Sequence, residues 1–180
     1  MLFSKEDLRK LIVPLVIEQL LAVTIGMADT MMVANVGEAA VSGISLVDSL
    51  NILLIQIFSA LATGGAVVAS QYLGRQDREN ACGAAKQLVY ACAAISILVG
   101  GLAMLGGKHL LSLIFGAVEP DVMRNAETYF WLSALSYPAL AIYNAGAALF
   151  RSMSNSRVSM MTSIAMNLVN ISGNAILIYV

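Results

Sequence analysis

Residues 49–74 read SLNILLIQIFSALATGGAVVASQYLG and contain no Asp, Glu, Lys or Arg. A helix needs about 20 mostly apolar residues to cross the hydrocarbon core of a bilayer, and this run is longer than that. The first apolar run, residues 11–37, contains only two charged residues, Glu18 and Asp29. Three further runs lack all four charged residue types: 87–107, 128–150 and 158–180. The sequence therefore predicts five membrane-spanning helices.

The composition of the whole chain supports this prediction. Hydrophobic residues make up 59% of the sequence, charged residues 12%, and the mean hydropathy is +0.81. Soluble domains contain roughly 25% charged residues. There is no basic cluster to predict a nucleic-acid partner, and no P-loop, HExxH motif or Cys/His cluster. We predict neither an enzyme nor a cofactor.

The predicted fold is an all-α integral membrane protein, a polytopic helical bundle, with spans at about 11–35, 42–73, 87–107, 126–150 and 158–180. Lysine and arginine favour the cytoplasmic ends of membrane helices. Only Lys108 and Arg124 fall on one side of this topology, and the others fall on the opposite side: Lys5, Arg9, Lys10, Arg75, Arg78, Lys86, Arg151 and Arg157. We expect a multi-pass plasma-membrane protein with a cytoplasmic N-terminus.

The last predicted span ends at Val180 without a charged flank, and five is an odd number of spans. We therefore expect residues 1–180 to be an incomplete N-terminal transmembrane lobe, with membrane lipid and a C-terminal lobe of the same protein as partners.

Asp29 lies inside the first predicted span, and no Lys or Arg occurs between Lys10 and Arg75 to neutralise it. A carboxylate in hydrocarbon costs at least about 2.5–3.5 kcal/mol on insertion scales, so such residues usually face a cavity, a partner or an ion pathway. We predict that Asp29 is a cation-binding group in a protein that moves a solute across the membrane.

A second polar feature follows one face of the fifth predicted span. Ser163, Asn167, Asn170 and Asn174 recur at helical spacing. Such polar side chains either bond neighbouring helices or line an aqueous cavity, and four beside a buried acid favour the cavity. Counted from the flanking basic residues, Asp29 and Asn174 differ in height by only about 3 Å. A carboxylate with amide oxygens could bind Na⁺ or a proton, and the spacing does not choose between them.

Other polar residues have two interpretations each. Glu18 is on nearly the same helical face as Asp29, three turns earlier. It could contact a cationic substrate or form a helix–helix hydrogen bond. Asn144, in the fourth predicted span, is a candidate for the substrate path, as is Asn167. For Asp48 we expect a rim acid reached by water, and for His109 a structural role.

Several short stretches resemble the multidrug and toxic compound extrusion (MATE) family when taken in order. The first includes Pro14 and residues 18–21, EQLL, and the second is residues 26–33, GMADTMMV. The remaining stretches are 36–43, VGEAAVSG; 69–75, ASQYLGR; and 150–153, FRSM; with Asn170 and Asn174 in the fifth span.

This resemblance implies twelve helices in two lobes around a central cavity, with five of the helices in the present chain. It also implies an antiporter that exchanges Na⁺ or H⁺ for amphipathic or cationic drugs. Asp29 matches the family's first-helix acid and Asn170 a fifth-helix asparagine of the same cation site. At the position of Asn174 some branches carry Asp. The alternatives are a flippase for lipid-linked oligosaccharides of the same superfamily and a non-transporting membrane assembly module.

Overall fold

The structure, a computed structural model, describes residues 5–33 and 37–179. Within these ranges, some side chains lie outside the description, namely those at positions 7, 29, 33, 174, 175 and 177–179. The described part contains five α-helices and no strand. The helices are α1 (Lys5–Val33), α2 (Glu38–Gly74), α3 (Arg78–Phe115), α4 (Pro120–Ser152) and α5 (Ser156–Tyr179). The predicted all-α fold is confirmed.

The helices extend beyond the apolar runs from which the spans were predicted. The largest difference is at α3, which was expected over 87–107. Asp77 caps this helix through its side chain, which accepts a hydrogen bond from the Asn80 backbone N–H at 3.2 Å. Gly116 ends it with φ of 69°, a left-handed conformation that glycine adopts without a steric cost. Capping residues in the turns determine where α3 begins and ends, whereas the charge distribution indicates only which part of the helix is apolar.

Three helical segments of the described chain are long and apolar enough to cross a membrane: Leu8–Met32, Glu38–Gly74 and Arg78–Phe115. The described parts of α4 and α5 fall outside this set. Helix α4 contains Tyr137, Pro138 and Asn144, and α5 contains Asn167 and Asn170. These polar and proline residues lower the mean hydropathy of both helices. That α4 and α5 also cross the bilayer stays a prediction, based on the runs 128–150 and 158–180, which lack charged residues.

The chain divides into two compact units. The α1–α5 unit contains these two helices and the end of α4 from Phe150 onward. The α2–α4 unit contains residues 37–149. The core of the α2–α4 unit is formed by small and aromatic side chains, of which Phe58, Phe130 and Tyr137 are the bulkiest. The rings of Phe58 and Tyr137 pack edge to face, with their centroids 6.1 Å apart.

Two glycines bring helix backbones of the α2–α4 unit into close contact. A Cβ atom at Gly43 would lie 2.8 Å from the Val122 carbonyl oxygen, and one at Gly100 would lie 2.9 Å from the Ala134 carbonyl oxygen. The second contact has a further consequence. Pro138 has no N–H to donate to the Ala134 carbonyl oxygen. The α3 backbone at Gly100 packs closely against that oxygen instead.

Polar side chains of the α2–α4 unit are bonded across helices. The Asn51 amide donates to Ser133 Oγ at 3.2 Å and accepts from the Tyr137 hydroxyl at 2.7 Å. The Tyr129 hydroxyl donates to Asp48 Oδ1 at 2.9 Å. Asp48 is half-buried and accepts a hydrogen bond from a protein side chain, so its carboxylate is not solvated by water alone.

Candidate functional site

Helix α1 packs along α5, and the contacts between them define a parallel arrangement. Ser159 Oγ, in the first turn of α5, donates to Glu18 Oε2 at 2.8 Å. A cleft near the same end is lined by Arg9 and Pro14 of α1 and by Arg157 of α5. Because the N-terminal halves of both helices meet, the two helices run in the same direction.

This register brings two of the predicted cation-site positions, 29 and 170, to one height. Asp29 follows Glu18 by about three helical turns, about 16 Å, and Asn170 follows Ser159 by the same distance. The backbones at positions 29 and 170 therefore lie at the same level of the pair. Asn174 lies one turn further along α5. The sequence analysis compared the height of Asp29 with that of Asn174 and predicted a difference of about 3 Å.

The side chains of Asp29 and Asn174 lie outside the described residues, so their part in a cation site stays a prediction. Of the predicted polar face of α5, the structure describes Ser163, which is buried, Asn167, which is half-buried, and Asn170, which is exposed. The Nδ2 atom of Asn167 is buried and has no hydrogen-bond partner among the described residues. An amide nitrogen of this kind costs about 1–3 kcal/mol unless it finds an acceptor.

Glu18 forms a polar cluster with residues from two other elements. Its Oε2 accepts the Ser159 hydrogen bond, and its Oε1 lies 3.5 Å from Nη1 of Arg151, in the last turn of α4. The side chains of Arg151 and Glu18 are only 30% and 16% exposed. A carboxylate buried to this extent needs a cation and further donors to offset its lost hydration. Of the two interpretations of Glu18, the interhelical hydrogen bond is present, and a contact with substrate stays a prediction.

Asn144 belongs to the α2–α4 unit and is half-buried. Its Nδ2 donates to the Leu140 carbonyl oxygen of its own helix at 3.0 Å. This bond satisfies the amide nitrogen within α4 and leaves the amide oxygen for another partner. A role in the substrate path stays a prediction for Asn144, as it does for Asn167.

Sequence reasoning missed the partners of Glu18. Arg151 entered the prediction as a marker of topology and as part of the stretch 150–153, although a buried acid needs a cation at its own height. The predicted topology placed Arg151 on the side of the membrane where α1 begins, and this placement could have indicated Arg151 as a partner of Glu18. Ser159 gave no such signal, because a serine near a helix start is common and usually caps the helix.

The fold and the polar cluster define a multi-pass helical membrane protein with charged and amide side chains between parallel helices. The family comparison makes this more specific. The MatE family model matches residues 14–176, and the chain belongs to that family. The resemblance inferred from the sequence is thereby confirmed.

Two relatives illustrate the similarity. The chain is 28% identical over 168 residues to the uncharacterized transporter YisQ of Bacillus subtilis (strain 168), covering 92% of this chain and 36% of that protein. Its fold is similar to that of a MOP superfamily transporter from Pyrococcus furiosus Vc1 (DSM3638), with a TM-score of 0.90 and 16% identity. That match covers 97% of this chain and 38% of the other. The chain thus spans little more than a third of each relative.

Proposed function

We propose that this chain forms the N-terminal part of a cation-coupled antiporter. The antiporter exports amphipathic or cationic organic compounds across the plasma membrane in exchange for Na⁺ or H⁺. In this proposal, Asp29 binds the coupling cation and Asn170 and Asn174 supply neutral oxygen ligands. The N-terminus is cytoplasmic, and the C-terminal lobe of the same protein completes the transport path.

The observation that carries the proposal is the parallel register of α1 and α5. It supports a site in which an acid on one helix and an amide on the other lie at one height, about three turns beyond the Glu18–Ser159 bond. Carboxylate and amide oxygens suit a hard cation, and a carboxylate alone can bind a proton. The buried Nδ2 of Asn167 supports a polar environment on the same helix.

Coupling in such a site follows from mutual exclusion. The bound cation and the bound organic compound favour different conformations, so that each ligand lowers the affinity for the other. Arg151 is relevant here, since its guanidinium already neutralises Glu18. In this proposal, Asp29 is the acid of α1 that binds the coupling cation, and Glu18 is neutralised by Arg151.

The decisive experiment measures dye efflux from cells that express the complete reading frame encoding these residues, under imposed Na⁺ or proton gradients. Asp29→Asn is expected to insert normally and to lose gradient-driven efflux by more than tenfold. Asp48→Asn is the matched control. It also replaces a carboxylate by an amide, but the amide oxygen can still accept the Tyr129 hydrogen bond, so efflux should continue.

Each result of that experiment has a definite meaning. Loss of efflux in Asp29→Asn alone supports the coupled antiporter, and the gradient that drives the wild type identifies the ion. Gradient-driven efflux retained in Asp29→Asn contradicts the role of this acid. If a well-expressed wild type exports no dye, lipid-linked intermediates should be measured in a deletion strain. Their accumulation would favour a flippase, and their absence a non-transporting assembly module.

A further inference from the structure

A cleft of about 390 Å³ opens in the α1–α5 unit beside the first turns of both helices. Its lining divides into two parts, one charged and one apolar. The charged residues are Glu6, Arg9, Lys10 and Arg157, and the apolar ones are Val13, Pro14, Ile17 and Met160. The volume falls within the roughly 300–1,000 Å³ of small-molecule sites.

The charge in the cleft is positive. Lys10 is paired with Glu6, with their side-chain nitrogen and oxygen 3.2 Å apart. Among the side chains that the structure describes, Arg9 and Arg157 form no ion pair, and both residues are exposed. Two guanidinium groups are therefore available to one ligand. Guanidinium binds phosphate through paired N–H donors, so a phosphate group suits this part of the cleft.

The two parts of the lining follow the axis of α1. Arg9 and Lys10 lie at the start of the apolar segment Leu8–Met32, whereas Val13 and Ile17 lie one to two turns further into it. The distance from Arg9 to Ile17 along the helix is about 12 Å. A ligand that fills this cleft thus has an anionic head at the level of the arginines and an apolar chain beside Val13, Ile17 and Met160.

Pro14 adds a third feature. Proline has no backbone N–H, so the Lys10 carbonyl oxygen receives no hydrogen bond from position 14. A ligand with a hydroxyl group beside its phosphate offers a donor for this oxygen. Phosphatidylglycerol, an anionic glycerophospholipid, has both a phosphate and hydroxyl groups in its headgroup.

We propose that this cleft is a binding site for one anionic glycerophospholipid, with its phosphate between Arg9 and Arg157 and an acyl chain along Ile17 and Met160. Basic pockets between membrane helices bind anionic headgroups in this manner. A basic residue near a membrane surface contributes about 1 kcal/mol, which corresponds to on the order of fivefold in affinity.

The test is a lipid titration of the purified complete protein in detergent, followed by native mass spectrometry. Phosphatidylglycerol is expected to bind at least tenfold more tightly than phosphatidylcholine. Arg9→Gln combined with Arg157→Gln should reduce phosphatidylglycerol affinity by on the order of 25-fold, to near the phosphatidylcholine value. The matched control combines Arg78→Gln with Lys86→Gln, which removes two positive charges from α3 and should leave the preference unchanged.

Three results would overturn the proposal. One is equal affinity for the two lipids in the wild type. Another is a preference that survives in the Arg9/Arg157 variant, which would mean that another part of the complete protein covers the cleft or binds the lipid. The third is full competition by glycerol 3-phosphate at the same concentration as the lipid, because the cleft would then bind phosphate without using its apolar part. A folded elution profile for each variant keeps all three results interpretable.

Discussion

In the α2–α4 unit, the amide of Asn51 is bonded on both sides, to Ser133 and to Tyr137. In the α1–α5 unit, the buried amide nitrogen of Asn167 has no partner among the described residues. Both asparagines lie within largely apolar helices, Asn51 in α2 and Asn167 in α5. Asn51 therefore joins helices through hydrogen bonds, whereas Asn167 has an amide nitrogen that can still donate to an acceptor.

The difference extends to the rest of each unit. Glycines in the α2–α4 unit allow backbone contacts between helices, and its buried polar side chains among the described residues, Asn51 and Ser96, are neutral. The α1–α5 unit contains the partly buried pair Glu18 and Arg151. We conclude that substitutions in the α2–α4 unit should mainly change stability, whereas polar substitutions in the α1–α5 unit should mainly change transport.

The largest effect on stability is expected at Gly100. Gly100→Ala places a methyl group 2.9 Å from the Ala134 carbonyl oxygen, a backbone atom that cannot rotate away. Overpacking of this kind costs about 1–3 kcal/mol. Thermal unfolding of the purified complete protein measures the cost. Gly101→Ala is the control, since a Cβ there has no neighbouring atom within 4 Å, and it should be neutral or slightly stabilising. Equal melting temperatures for the two variants would contradict the tight helix contact.

The two asparagines provide the most direct test of the comparison. Asn51→Leu leaves the Tyr137 hydroxyl and Ser133 without their partner and should lower stability by about 1–3 kcal/mol. Asn167→Leu removes an amide nitrogen that has no described partner, so stability should be unchanged or higher. Efflux should fall in Asn167→Leu and persist, at matched amounts of folded protein, in Asn51→Leu. Destabilisation of similar size in both variants would remove the distinction between the units.

Some of the features behind these tests could be predicted from the sequence, and others could not. Four runs without charge, and one with only two charged residues, predicted all five helices, because long apolar runs suit the hydrocarbon core of a bilayer. The helical spacing of Ser163, Asn167 and Asn170 also identified the polar face of α5. The sequence did not reveal the bonds of Asn51 with Tyr137 or of Glu18 with Arg151. Those pairs are distant in the chain, and tertiary packing, rather than local pattern, determines which polar groups meet.

An intermediate effect is expected at the ion pair of the α1–α5 unit. Arg151→Met leaves the carboxylate of Glu18 without its cation, and Glu18→Gln leaves the guanidinium without its anion. The double variant loses both charges, so it should be less destabilised than the sum of the single variants. A double-mutant cycle on thermal unfolding should give a coupling of about 1 kcal/mol. Ser159 can still donate to the amide oxygen that Glu18→Gln introduces. Additive effects would show that the pair contributes nothing to stability.

The smallest effect is expected outside the apolar segments, at the cap of α3. Hydrogen bonds from the Asn80 side chain and backbone hold the pKa of the Asp77 carboxyl below its usual value of 3.8. Because the folded state favours the ionised form, its stabilisation is present above pH 3.8 and is lost as the pH falls through the lower, folded pKa. Asp77→Asn keeps a capping oxygen without the charge. Its melting temperature should therefore lie slightly below that of the wild type at pH 7 and converge with it in acid. A difference that does not change with pH would contradict the role of the charge, and Asp77→Ala should then show how much the cap alone contributes.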